Sequence, residues 1–325
     1  MPSRPHNQHL KQRGVALITV LLVFAVVAVI AAEMLRRSQL NLRSVSNLID
    51  SRQAYYYAMG GEAMARQLLA LDVKNGRPAK DSLDEAWAKV GDQQPLEIDN
   101  GAIKVEIHDL QGRFNLNSVI DADGQAVEDA VARLRQLLSG LGVDGRYADQ
   151  WRDWVDRDQV VAGGGAEDAG YPDYKTAGGA EVDISALRLL HDMTAEDYAR
   201  IAPHVATLPP ATPININTAD SSVLSAMGPI ISAQAGSIRS RQRQGGYADI
   251  AALQAVLGGS ADVTGLDVKS SYFEVITTVK YLDRIQRLRS VLFRDEKGVM
   301  TVLSRSRIPL FDSSYDSEDG DSQQP

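Results

Sequence analysis

The chain contains no cysteine. Disulfides, thiolate metal sites and a cysteine nucleophile are therefore excluded. The compartment is not decided by this, since an exported protein can do without disulfides. Basic charge is also in short supply: 34 Lys and Arg stand against 42 Asp and Glu, a formal net charge of −8. Three of those cations (Arg4, Lys11, Arg13) fall in the first 14 residues, which hold no acid, so the rest carries 31 basic and 42 acidic residues. Such a surface is a poor general binder of polyanions and suits divalent cations. No phosphate loop or nucleophile motif occurs. The five histidines (His6, His9, His108, His191, His204) are scattered without zinc spacing.

Charge is absent altogether from Val15 to Ala32, eighteen residues directly after the basic head Lys11 to Gly14. As a helix this run spans roughly 27 Å, close to the hydrocarbon thickness of a bilayer. Lys11 and Arg13 favour a cytoplasmic N-terminus, against which Arg36, Arg37 and Arg43 pull from the far side. A secretory signal cut after Val29-Ile30-Ala31 and an unprocessed anchor are alternatives. The run is long for a signal, however, and helical character continues past it. Proline is absent from Glu33 to Leu71, where Leu35, Leu42, Val45, Leu48, Ile49, Ala54, Ala58, Met64 and Leu68 keep a helical spacing. Gly60-Gly61 is the expected place for a kink.

Beyond the helix, Leu96-Glu97-Ile98, the turn Asp99-Asn100-Gly101 and the alternation Ile103, Val105, Ile107 read as a hairpin. Strand character returns over Tyr272 to Val279, Arg284 to Phe293 and Val299 to Ser304, with Asp295-Glu296-Lys297-Gly298 as a turn. Between them, residues 120–265 are helix-rich and punctuated by glycine. The expected fold class is α+β: a long N-terminal helix packed on an antiparallel sheet, with a large inserted all-α domain. The parts are a leader 1–14, a transmembrane stretch 15–32, the remaining helix and first strands 33–119, the insertion 120–265, late strands 266–310 and a disordered acidic tail 311–325. Within the insertion, Phe114-Asn115-Leu116-Asn117-Ser118 is echoed by Ile214-Asn215-Ile216-Asn217-Thr218, which implies two similar helical subdomains. Asn117 or Ser118, and Asn217 or Thr218, are candidate N-caps, and the asparagines are expected to satisfy turn backbone.

The densest polar constellation is Trp151-Arg152-Asp153-Trp154-Val155-Asp156-Arg157-Asp158, followed by Gly163-Gly164-Gly165-Ala166-Glu167-Asp168. Five carboxylates bracket a glycine-rich turn that could fold one set onto the other, and calcium takes six to eight oxygens in flexible geometry. Asp156, Asp158 and Glu167 match positions 1, 3 and 12 of an EF-hand. Val160 and Val161 stand where that loop needs an oxygen ligand and a glycine, so it is not one. A solvated acidic loop with Trp151 and Trp154 packed inward is the competing reading. Asp121-Ala122-Asp123-Gly124 reads as a turn. A rival function comes from Ile214 to Leu257, where Ile216-Asn217-Thr218-Ala219, Gly228, Arg239 to Arg243 and Gly245-Gly246-Tyr247 resemble a helix-hairpin-helix DNA receptor of the competence type. Its phosphate-binding turn has become Met227-Gly228-Pro229-Ile230, in which proline removes a donor. The run Arg239, Arg241, Arg243 then reads as a solvated helix face.

Together these pieces resemble the GspK (XcpX-like) family, the large minor pseudopilins of type II secretion systems. The resemblance covers nearly the whole chain. Arg13-Gly14-Val15-Ala16-Leu17-Ile18 is similar to a type IV prepilin junction, Asp153 to Asp158 with Gly165 to Asp168 to that family's acidic signature, and Asn215 to Ala219 to its second helical repeat. It implies a non-enzymatic protein cleaved between Gly14 and Val15, with the Val15 amine methylated. It further implies calcium held by Asp153, Asp156, Asp158, Glu167 and Asp168. The implied location is the inner membrane, single-pass, with the N-terminus cytoplasmic and the bulk periplasmic. Implied partners are prepilin peptidase and minor pseudopilins of the I and J kinds, with the H kind a further candidate; neither nucleic acid nor a small-molecule substrate is expected. One departure is informative: the fifth residue from Val15 is Thr19, where pilins usually carry a glutamate that pairs with a neighbour's N-terminal ammonium. A charge unpaired in hydrocarbon is costly, so Thr19 fits a subunit with no neighbour above it, one that caps or initiates the fibre.

Overall fold

The computed structural model describes residues 9–74, 80–258 and 261–308, with the backbone alone for 9–14 and 74. The tail expected over 311–325 lies outside the described residues. The chain divides into two compact units, residues 1–54 and 55–325. Helix α1 (His9–Lys74) contributes to both. In the first unit it carries the uncharged stretch Val15 to Ala32, every residue of which is exposed. That stretch is long and apolar enough to cross a membrane.

In the second unit, strands β1 (Leu96–Ile98) and β2 (Gly101–Asp109) form the expected hairpin. Its turn places Asn100 at φ 64°, a left-handed conformation that asparagine tolerates. After β2 come β3 (Phe114–Asn115), α2 (Glu128–Gly140), α3 (Arg146–Val155), α4 (Ala195–Ile201), β4 (Val205–Ala206) and β5 (Ile214–Asn215). These are followed by α5 (Ser221–Ala226), α6 (Pro229–Gln242), α7 (Ile250–Leu257) and β6 (Leu266–Asp267). The chain then returns through β7 (Tyr272–Tyr281), β8 (Arg284–Arg294) and β9 (Met300–Arg307). The main sheet is antiparallel throughout, in the order β1-β2-β7-β8-β9, so two strands far apart in sequence, β2 and β7, lie side by side.

The alternation on β2 buries Ile103, Val105 and Ile107, and that on β7 buries Phe273, Val275, Thr277 and Val279. The α1 residues Ala58, Ala65 and Leu69 are buried as well. The helix runs on through Gly60-Gly61, where a kink was expected, and the two glycines serve different ends. A β-carbon on Gly61 would lie 2.5 Å from Thr277 Cγ2, so this glycine lets helix and sheet approach closely, whereas nothing lies within 4 Å of Gly60. Glu62 of α1 accepts hydrogen bonds from Ser290 Oγ (2.7 Å) and Arg305 Nε (2.6 Å), tying the helix to β8 and β9.

The region between β2 and β7 has its own apolar core, from Phe114 to Val268, with Trp151 and Leu116 fully enclosed. The boundaries expected at 120 and 265 therefore fall inside it. Nor is it wholly helical: β3 pairs in parallel with β4, and β5 with β6. Each ladder joins the start of one half to its end, so the two subdomains are closed by the same device. Where the insertion leaves the sheet, Asp109 Oδ2 accepts from Ser270 Oγ (2.5 Å), Thr218 Oγ1 (2.7 Å) and Asn215 Nδ2 (3.0 Å). Burial pushes the Asp109 carboxyl up to about 6.

Candidate metal centre

The asparagine repeats are structural. Asn217 donates to the backbone oxygen of Tyr247 (3.0 Å) and accepts from its N–H (2.7 Å), so one side-chain amide replaces a strand partner. Asn117 does the same with Glu181, at 2.8 and 2.9 Å. Both are buried, where an unpaired amide would be costly. Capping falls to other residues than those expected. Asn115 accepts from Asn117 N at a short 3-10 turn that contains Asn117 and Ser118 themselves, and Asp220, directly before α5, accepts from Ser222 and Val223 N. Gly245-Gly246-Tyr247, part of the likeness to a DNA receptor, seats Asn217: a β-carbon on Gly246 would lie 2.5 Å from Asn217 Oδ1. Pro229 is the first residue of α6, as expected from its missing N–H.

Helix α3 is amphipathic, and it buries Tyr147, Trp151, Trp154 and Val155. Trp151 Nε1 donates to Leu116 O (2.9 Å) and Trp154 Nε1 to Glu181 Oε1 (2.8 Å), so both indoles point inward with their polar edges satisfied. The same helix and its exit carry Asp153 and Asp156. The glycine-rich turn folds back so that Ala162 N donates to Asp153 (3.1 and 3.3 Å to its two oxygens). Gly165 passes against the Asp153 carboxylate with no room for a β-carbon. This return brings Glu167 to the aspartates. One carboxylate oxygen from each of Asp153, Asp156 and Glu167 lies within 4.8 Å of the others, and all three residues are buried.

Of the five expected ligands, the structure thus converges three. Asp158 is exposed at the rim, where its Oδ1 accepts from Val160 N (2.7 Å), and its charge is felt by Asp156 and Glu167. Asp168 is turned to other work: Thr176 donates to it from Oγ1 (2.9 Å) and N (3.0 Å), and Lys175 stands at 3.5 Å. Those bonds hold its carboxyl below the usual range. Asp121 closes the expected turn by accepting from Asp123 and Gln125 N.

The three converged carboxylates are poorly neutralised. Both oxygens of Asp156 and Glu167 Oε1 are buried without a hydrogen-bond partner. Burial, reinforced by the neighbouring acids, pushes Glu167 up to about 7. Burial likewise raises Asp153 to about 6 and shifts Asp156 upward. Among the described residues the cation that comes nearest is Arg152, whose Nε stands 3.5 Å from Asp156 Oδ2. Three buried carboxylates, two of them with unpaired acceptor oxygens, are a donor set that fits a hard divalent ion.

Among the described residues one further acidic trio converges as closely, Asp72, Asp81 and Glu85. There the protein provides the counter-charge. Arg294 pairs with Asp81 and lies 3.5 Å from Asp72, while Trp87 Nε1 donates to Glu85 (2.7 Å). Sequence reasoning passed over this trio because its members come from the end of α1 and the loop after it, with no common motif.

Comparison with known proteins agrees with this architecture. Two protein-family models, both described as "Type II secretion system (T2SS), protein K", match residues 112–210 and 214–275, one for each closed half of the insertion. A type II secretion system protein K of Pseudomonas aeruginosa is 39% identical over 311 residues, covering 90% of this chain and 92% of its own. The protein of that name from Aeromonas hydrophila is 34% identical over 323 residues, covering 91% of this chain and 97% of its own. Among solved structures, a chain of the GspK-GspI-GspJ complex from enterotoxigenic Escherichia coli superposes with a TM-score of 0.70 at 25% identity, covering 82% of this chain and 99% of that one. With identity above three-tenths over nine-tenths of its length, a pilin-like helix and sheet, and both halves of the insertion matched, the chain belongs to the type II secretion system protein K family.

Proposed function

We propose that this protein is a non-enzymatic minor pseudopilin that caps or initiates the periplasmic pseudopilus of a type II secretion system, and so supports export of folded proteins across the outer membrane. The observation that carries this is the pairing of a wholly exposed apolar stretch, Val15 to Ala32, with a pilin-like head enlarged by more than a hundred inserted residues. The stretch anchors the chain in the inner membrane with the head in the periplasm, and the bulk of the insertion suits a fibre end better than a repeating shaft. Partners of the I and J kinds follow from the solved complex of a relative, and neighbours of the H kind would stand below them. Thr19 donates to its own helix at Ala16 O (2.9 Å) and brings no charge that an adjoining amine must neutralise. Prepilin peptidase would cut between Gly14 and Val15, after which the Val15 amine is methylated. The mass of the mature N-terminal peptide tests this: a methylated Val15 start is expected, and an Ala32 start would overturn it.

Asp153, Asp156 and Glu167 would hold a calcium ion, with Asp158 adding charge from the rim and Asp168 fixing the loop that carries Glu167. The ion would offset the mutual repulsion of the three buried carboxylates and lock the glycine-rich turn onto α3. Thermal unfolding of the full chain in detergent, with calcium and with chelator, tests the reading. Calcium raises the melting temperature of the wild type, and Glu167→Gln abolishes that rise. Superimposable wild-type curves would remove the metal from the proposal.

A further inference from the structure

The charge balance at this site has an unusual distribution. Asp153, Asp156 and Glu167 bring three carboxylates into a buried space, and Arg152 is the guanidinium that reaches them. Its Nε lies 3.5 Å from Asp156 Oδ2, one helical turn away, and Nη1 lies 3.0 Å from Glu128 Oε1 on α2. The two acceptors differ sharply. The Asp156 side chain is fully buried, and that of Glu128 is 70% exposed. Arg152 Nε is itself buried without a hydrogen-bond partner, as are both oxygens of Asp156. The guanidinium thus stands between a buried carboxylate at 3.5 Å and a solvated one at 3.0 Å.

We propose that Arg152 is an affinity-setting counter-charge: it offsets Asp156 when no divalent ion is held and gives way onto Glu128 when one is, so that it competes with calcium. The inference rests on the calcium reading above. A fixed positive charge beside a ligand carboxylate repels an incoming cation. Glu128 limits that penalty by offering a second seat within reach, which makes α2 part of the site without touching the ion. A residue that merely stapled α3 to α2 would show none of this competition.

Calcium titration calorimetry on the full chain in detergent, combined with melting in chelator, separates the two roles. Arg152→Gln should bind calcium about tenfold more tightly than the wild type, while melting at a lower temperature in chelator. Arg152→Lys keeps the charge and should stay within about twofold of the wild type. Glu128→Gln strands the guanidinium on Asp156 and should weaken binding several-fold. Equal or weaker binding by Arg152→Gln overturns the inference, and so does unchanged affinity in Glu128→Gln, which serves where the first variant fails to fold. If the wild type takes up no calcium, the metal reading fails first, and with it the role given to Arg152.

Discussion

Gly165 passes so close to Asp153 that a β-carbon at position 165 would overlap the carboxylate Oδ2. The glycine is thus a packing requirement of the acidic site. Gly165→Ala must push the carboxylate or the turn aside, at an overpacking cost of about 1–3 kcal/mol. The variant should melt lower than the wild type and lose most of its calcium-dependent shift. Gly164→Ala is the control, because its β-carbon would meet only Arg146 Cβ at 3.4 Å, and its melting should be almost unchanged.

The adjacent glycines of α1 should respond in opposite senses. Gly60→Ala meets open space and gains helix propensity, so it should stabilise the fold by roughly 0.5–1 kcal/mol. Gly61→Ala gains the same propensity but drives its methyl to 2.5 Å from Thr277 Cγ2 and 3.0 Å from Val105 Cγ2. Overpacking of about 1–3 kcal/mol outweighs the gain, leaving a net loss. Denaturant titration of both variants in detergent checks the sign. Stabilisation by both would mean that helix and sheet yield more readily than this contact suggests.

How far the sequence could be read follows from the range over which each cause acts. Alternation along Ile103, Val105 and Ile107 and the turn at Asn100 are local, and the hairpin appeared where expected. The return strands β7, β8 and β9 were equally plain. The packing role of Gly61 was not legible in the sequence, because its reason, the Thr277 side chain, lies on a strand more than two hundred residues away. At the acidic site, residue type marked the segment but not which of its carboxylates converge. Glu167 is buried beside the aspartates, whereas its neighbour Asp168 accepts from Thr176, a difference set by the fold of the loop. Arg152 was visible as the residue four before Asp156, yet its sharing with Glu128 needs the packing of α2 on α3.

The side-chain amide of Asn217 should be worth more than its size suggests. It satisfies both the N–H and the C=O of Tyr247 in a buried position. Asn217→Ala leaves both groups unpaired, at about 1–3 kcal/mol each where water cannot reach. The expected net loss is about 2–4 kcal/mol on denaturant unfolding. Asn117→Ala, by the same logic at Glu181, should lose stability as well. A loss below about 1 kcal/mol in both would show that water replaces the amides.

Glu85 should give the fold a pH dependence distinct from that of the acidic site. Burial, aided by the charges of Asp72 and Asp81, pushes its carboxyl up to about 7, against the opposing bond from Trp87. An unfolded glutamate titrates near 4.3. Between these values the folded chain binds the proton and the unfolded chain does not, so this group makes stability fall as pH rises from about 4.3 to about 7, with no further change above. Glu85→Gln keeps the shape and removes the ionisation. Its melting temperature relative to the wild type should therefore climb across that window and level off above pH 7. A constant difference from pH 5 to pH 8 would show that Glu85 stays ionised in the folded protein.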